Sequence, residues 1–294
     1  MPPTAESLLL TLHLDFDTDM PLYEQIAATR SEGAAFDMRY IVTIYDASKG
    51  GELVDRVVFT KSAEEWNNTV QLELMQGLYD IVVWADFVDA GTIADKYYCT
   101  SNFENIANLG ELSGSNDYRD TFVGDATLDL TAQSEAYAHT IEMGRPMAKY
   151  RFIATDVEAF IEQIGSMNDA NVDLNDYYVV FYYPGYVNTS FDALSDMPAE
   201  SQRNQSFRSN IERISDTEAE LGFDYVFVGG DTKVWVSLEI YDKNGTNIGG
   251  VDKLLVPLSR SKLTEIREAF LTSKEAGGVG LNPDFDDEIT IPIG

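Results

Sequence analysis

Tyr79-Asp80-Ile81-Val82-Val83-Trp84-Ala85-Asp86-Phe87-Val88-Asp89 decides how the rest of this sequence is read. It is a run of β-branched, aromatic and small apolar residues that closes on acidic turn residues, and it reads as a buried strand. Toward the N-terminus lies Leu8–Phe16, which alternates strictly from Leu10. Leu10, Leu12, Leu14 and Phe16 face one way; Thr11, His13, Asp15 and Asp17 face the other. That period of two marks a half-buried strand. Further runs span Arg39–Tyr45, Val54–Thr60 and Thr69–Leu74, with shorter ones at Ala126–Leu130 and Ala136–Met143. Turn residues such as Ser48-Lys49-Gly50-Gly51 and Gln76-Gly77 separate them. Seven strands in about 140 residues, with no helix long enough for a parallel crossover, predict an all-β, antiparallel sandwich.

Gly144-Arg145-Pro146 interrupts the pattern and sets a boundary between two domains, residues 1–144 and 145–294. A second set of strands follows at Met147–Thr155, Tyr177–Tyr183, Phe223–Val228, Val234–Tyr241, Val251–Leu258 and Glu288–Ile293. Ser261–Leu271 reads as a short amphipathic helix with Leu263, Ile266 and Phe270 on one stripe. Val157–Ile164 reads as another helical turn or two. The polar stretch from Tyr186 to Leu221, which includes Ser201-Gln202-Arg203-Asn204-Gln205, reads as a surface excursion. Ile44-Tyr45-Asp46 before Val54-Asp55-Arg56 is echoed by Ile240-Tyr241-Asp242 before Val251-Asp252-Lys253, a weak sign of two similar sandwiches.

Composition narrows the function. With 50 acidic and 20 basic residues the net charge is −30, a field that repels nucleic-acid phosphates and anionic lipid surfaces. No run reaches the ~18 apolar residues of a membrane-spanning helix. Met1-Pro2-Pro3 leads into Leu8-Leu9-Leu10 without a basic n-region, so no signal peptide is read and the sequence is expected to be a mature fragment or a recombinantly trimmed one. Cys99 is the one cysteine and closes no internal disulfide. His13 and His139, the two histidines, share no ligand spacing with each other or with Cys99.

Nucleophile elbow, Walker loop and dinucleotide fingerprint are all missing from the sequence. Asp15-x-Asp17-x-Asp19 and Asp169-x-Asn171-x-Asp173 open like calcium loops. They fail at the sixth position, where Met20 and Leu174 replace glycine, and at the twelfth, where Ile26 and Val180 replace glutamate. Asp284-Phe285-Asp286-Asp287-Glu288 precedes the last strand and reads as a solvated turn. The expectation is a non-enzyme with no catalytic residue, cofactor or metal.

Tyr79–Asp89, Tyr97-Tyr98, Arg119-Asp120-Thr121-Phe122, Met143–Tyr150 and the C-terminal Gly280–Ile293 together resemble the fimbrillin-like surface proteins of Bacteroidales, particularly a subgroup without assigned activity. The resemblance spans nearly the whole chain on short motifs. It implies two tandem transthyretin-like (Greek-key) sandwiches with short helices in loops, exported as a lipoprotein to the outer membrane. It also implies a role as a fimbrial subunit or fimbria-associated adhesin, with other fimbrial subunits as partners. In that family's mechanism an arginine-specific protease removes the first strand, and a strand from a neighbour fills the groove. Here the strand withdrawn would carry Leu10, Leu12, Leu14 and Phe16. Arg30, in Ala27-Ala28-Thr29-Arg30-Ser31-Glu32-Gly33, is the candidate cut, with Arg39 less suited at the mouth of the next strand. The candidate donor is the C-terminal edge strand, with Ile289, Ile291 and Ile293 on one face and Pro292 lacking an N–H. The chain stops at Gly294, so a strand built into the second domain would leave little to donate. The alternative is a monomeric surface module that binds a host protein or a glycan. Tyr182, Tyr183 and Tyr186, beside Pro184-Gly185, are candidates for stacking on sugars.

Overall fold

The computed structural model describes residues 7–17, 36–61, 69–168 and 172–272. Among the described residues, nine strands precede Pro146: β1 Ser7–Phe16, β2 Phe36–Asp46, β3 Glu52–Lys61, β4 Thr69–Met75, β5 Leu78–Asp89, β6 Tyr98–Cys99, β7 Ile106–Asn108, β8 Thr121–Asp129 and β9 Tyr137–Met143. After it come β10 Met147–Ala154, helix α1 Val157–Asn168, β11 Tyr177–Asn188, β12 Ser190–Asp192, β13 Met197–Pro198 and β14 Ser201–Asn210. β15 Glu212–Arg213, β16 Ala219–Phe227, β17 Thr232–Asp242, β18 Asn247–Leu258 and β19 Leu263–Glu268 follow among the described residues. The chain forms two compact units. The first takes residues 1–106, 117–146 and 192–196; the second takes 107–116, 147–191 and 197–294.

The first unit is a sandwich of two sheets, ordered β3-β2-β5-β8 and β4-β1-β9. Its core lies between the alternate residues of β1 and those of β2 and β5, among them Tyr40, Val42, Ile44, Ile81 and Val83. β5 is buried on both faces, which is why it reads as a continuous apolar run. Its other face, with Trp84 and Asp86, meets the segment that carries Asp95 and Tyr98; Trp84 and Tyr98 pack edge to face at 5.8 Å. Gly124 of β8 lets that strand pass close to β9. A Cβ there would sit 2.3 Å from the Glu142 carbonyl and 2.8 Å from Met143 Sδ. Gly124→Ala is therefore expected to destabilise the first unit by about 1–3 kcal/mol through overpacking, read by urea denaturation.

The second unit repeats this topology. Its sheets run β14-β11-β17-β18 and β15-β16-β10-β19. In each unit the first strand lies inside its sheet, antiparallel to one neighbour and parallel to the unit's last strand: β1 to β9, and β10 to β19. The expected antiparallel sandwich thus carries one parallel pair per unit. The sequence echo does not mark this repeat. It matches the β2–β3 hairpin to the β17–β18 hairpin, which occupy opposite edges of equivalent sheets, and so reflects shared hairpin chemistry.

Two elements differ from the sequence reading. Ser261–Leu271 is not a helix. Leu263–Glu268 is a strand along β10, held by the Arg151 Nε–Glu265 bond of 2.7 Å and by the Thr264 hydroxyl on Pro257 O at 2.7 Å. The free hydrogen-bonding edge of β10 overrides the helical spacing of a short segment. The polar stretch after Tyr186 holds a ten-residue edge strand, β14, whose inner face buries only Phe207 and Ser209. Residues 107–116 pack on this second sandwich, with Ser115 N donating to Phe223 O at 2.7 Å and Ser115 Oγ 2.6 Å from Ser209 Oγ. Among the described residues, no helix is long and apolar enough to cross a membrane.

Candidate functional site

β1 is the middle strand of its sheet, bordered on both sides. Leu8, Leu10 and Leu12 lie opposite Leu74, Leu72 and Val70 of β4, while Leu14 and Phe16 lie beside Ile141 and Met143 of β9. Its inner row of Leu8, Leu10, Leu12, Leu14 and Phe16 is buried without interruption. Phe16 meets Phe122 edge to face at 4.9 Å and Tyr40 at 6.3 Å. Leu10, Leu12, Leu14 and Phe16 are thus brought into one continuous apolar ridge. With neighbouring strands about 4.8 Å apart, the place β1 fills between β4 and β9 is roughly 9–10 Å wide, one strand's width.

A buried ion pair closes the far end of this slot. Arg145 donates to both carboxylate oxygens of Asp120, with Nε at 2.9 and 3.0 Å and Nη2 at 2.9 Å, and both side chains are fully buried. Its remaining arm, Nη1, donates to the Asp17 carbonyl at 2.9 Å, and Asp17 N donates to Met143 O at 2.9 Å. The guanidinium also lies 4.6 Å over the Phe122 ring. Arg145 therefore ties the exit of β1 to β8 and to the end of β9.

A second buried arginine, Arg39 of β2, holds Asp86 in a bidentate pair at 2.8 and 2.6 Å. Nη1 reaches Ile93 O at 2.9 Å and Asp95 at 2.7 Å. Burial lowers the Arg39 pKa, but the hydrogen bonds and charges of Asp86 and Asp95 outweigh it and raise it. Burial likewise pushes the Asp95 carboxyl up. The hydrogen bonds from Thr100 and Arg39 outweigh this and hold it below the ordinary carboxylate value. A depressed carboxyl stabilises the fold above its ordinary pKa, and that contribution is lost as pH falls through the folded value. Asp95→Asn is expected to flatten the loss of first-unit stability below about pH 4, read by urea midpoints across pH.

The other candidates fall as follows. Arg30 and the Ile289, Ile291 and Ile293 row lie outside the described residues. Arg39 is buried and paired, so a protease cannot reach its side chain in the folded unit. His13 points to the outer face of its sheet, whereas His139 shares the inner side with Leu12 and stacks on Tyr137 at 6.5 Å, so the fold does not join them. Asp173 of the second acidic loop accepts from Asn175 N at 3.0 Å as a turn cap. No group of three or more potential metal ligands gathers among the described residues. Of the three tyrosines, Tyr183 is not available for stacking. It is buried, donates to Asp224 at 2.7 Å and lies 2.6 Å from the Tyr150 hydroxyl, because strand alternation turns it inward. Burial, then the Asp224 charge, pushes its pKa well up. Tyr182 is half-buried and Tyr186 exposed.

The Asp120–Arg145 pair is the feature that sequence patterning does not show. Both residues stand in quoted motifs, but nothing in a period of two says that an acid and a base 25 residues apart will be buried together.

The fold recurs in solved structures. A DUF1812 protein from Bacteroides thetaiotaomicron, provisionally described as polysaccharide-binding, superposes with a TM-score of 0.51 at 15% identity, over 83% of this chain and 80% of that one. The fimbrial anchor protein Mfa2 from Porphyromonas gingivalis gives 0.45 at 12% identity, over 84% and 82%. A fimbrial assembly protein from Parabacteroides distasonis gives 0.44 at 13%, over 90% and 91%. At 15% identity the first of these likenesses is one of fold alone. No curated protein matches the sequence. One family model does, from residue 5 to residue 294, and the chain belongs to that family of unknown function, DUF6562.

Proposed function

We propose that this is a non-enzymatic, fimbria-associated surface protein of the adhesin type, exported as a lipoprotein, whose first sandwich assembles with other subunits by strand exchange. One observation carries the reading: β1 is the central strand of a three-stranded sheet, with its whole inner row buried. Its removal would leave β4 and β9 with facing unpaired edges over an apolar floor, a template for an incoming strand. β1 is joined to β2 through residues 18–35, so a single cut at Arg30 separates it from the rest. The equivalent strand of the second unit, β10, follows Pro146 directly and is held at mid-chain. That asymmetry favours the first unit as acceptor.

The donor would be the alternating row Ile289, Ile291 and Ile293. Among the described residues the second sandwich repeats the first unit's strand order through β19, which ends at Glu268 and takes the place of β9. Asp156 fixes the chain's departure there, accepting from Leu271 N at 3.2 Å and Thr272 N at 2.7 Å. The test is digestion with an arginine-specific protease, followed by intact mass and sizing. The expected result is cleavage at Arg30, release of residues 1–30 and growth of oligomers. A cut protein that keeps β1 and remains monomeric would overturn the proposal.

A further inference from the structure

We infer that the outer face of the β14-β11-β17-β18 sheet is a binding platform for an acidic polysaccharide, independent of strand exchange. The outward rows of β11, β17 and β18 carry large exposed hydrophobic side chains. Tyr186 is 63% exposed, Trp235 45% and Leu255 40%. Trp235 and Leu255 are cross-strand partners. The Trp235 ring lies beside Gly185, 3.7 Å from where a Cβ would stand, and so next to Tyr186 in the chain. Trp235, Leu255 and Tyr186 thus place two exposed aromatics and an aliphatic side chain on one side of one sheet.

Flat aromatic surfaces suit the C–H faces of sugar rings, and ring N–H and O–H groups supply polar edges. Basic groups border them. The Arg203 guanidinium lies 4.3 Å over the Tyr186 ring, which puts a cation beside the exposed aromatic. Lys233, two residues from Trp235 on β17, is exposed on the same side by strand alternation. Both acids of this face are engaged. Glu239 accepts from the Tyr241 hydroxyl, and Asp252 accepts from Ser237 at 2.9 Å. The net charge of −30 belongs mostly to other surfaces. At physiological salt, charges beyond a Debye length of about 8 Å are screened, so the local cations decide what approaches. A uronate carboxylate on Arg203 or Lys233, with its ring on Trp235, fits this arrangement. A neutral glycan would leave both cations unused.

Polygalacturonate is the probe, with dextran as the neutral control, and affinity electrophoresis of the uncut chain is the readout. Retardation by polygalacturonate alone is expected. It should weaken at least tenfold in Trp235→Ala and in Tyr186→Ala, and weaken with added salt and in Arg203→Gln/Lys233→Gln. Circular dichroism and urea midpoints establish that each variant is folded. Equal retardation by dextran overturns the charge argument. No retardation, or retardation unchanged in both aromatic variants, overturns the site. A sizing shift that Trp235→Ala abolishes would mark the face as a protein contact and overturn it equally.

Discussion

Deleting residues 1–17 is expected to unfold the first sandwich while leaving the second intact. The strand removed carries five buried apolar side chains, Leu8, Leu10, Leu12, Leu14 and Phe16. At about 1.5–3 kcal/mol for each, their burial is worth roughly 8–15 kcal/mol. That is as large as the roughly 5–15 kcal/mol by which a whole domain is stable. The hydrogen bonds of β1 to β4 and β9 are lost as well. Urea denaturation should therefore show one transition in the deleted chain, that of the second unit. A peptide of residues 7–17 added in trans should restore the other. A deleted chain in which the first unit still unfolds cooperatively, as a monomer and without peptide, would show that β1 is not integral to its core.

Breaking the Asp120–Arg145 pair from one side should have the next largest effect. Both side chains are fully buried, so Asp120→Ala strands a guanidinium and Arg145→Met strands a carboxylate. Each is expected to cost about 3–5 kcal/mol. Removing both charges together, as Asp120→Leu with Arg145→Met, should cost clearly less than either single change, because no unpaired charge remains. The double-mutant cycle isolates that coupling. Arg145 also bonds the Asp17 carbonyl, so the double variant should still loosen the end of β1. Faster exchange of the Asp17 amide, which bonds Met143 O, is the expected sign. Additive costs would contradict the pairing.

Most of the architecture is legible in the sequence because strand alternation is a local property. β1 is read from Leu10 to Phe16 residue by residue, and β5 from a run apolar on both faces. What is lost is what local patterns do not encode. A period of two carries no direction, so the parallel pairing of β1 with β9 is invisible until the fold is known. β14 is hidden because an edge strand needs few apolar residues, and Phe207 is its single large one. β19 is misread because Leu263, Ile266 and Phe270 fit a helical stripe that pairing with β10 overrides. The candidate slot is half legible. Its filler is written in one strand, whereas its walls and its Asp120–Arg145 closure are assembled from residues far apart in the chain.

Strand replacement itself is the most direct test. The cleaved chain would be titrated with a fluorescent peptide of residues 285–294, with anisotropy and the mass of the released fragment followed together. Saturable one-to-one binding is predicted, with stoichiometric release of residues 1–30 and loss of binding when Ile291 of the peptide is changed to Asp. If residues 1–30 stay bound after cleavage and the peptide does not bind, the first sandwich is a closed unit and the account is wrong.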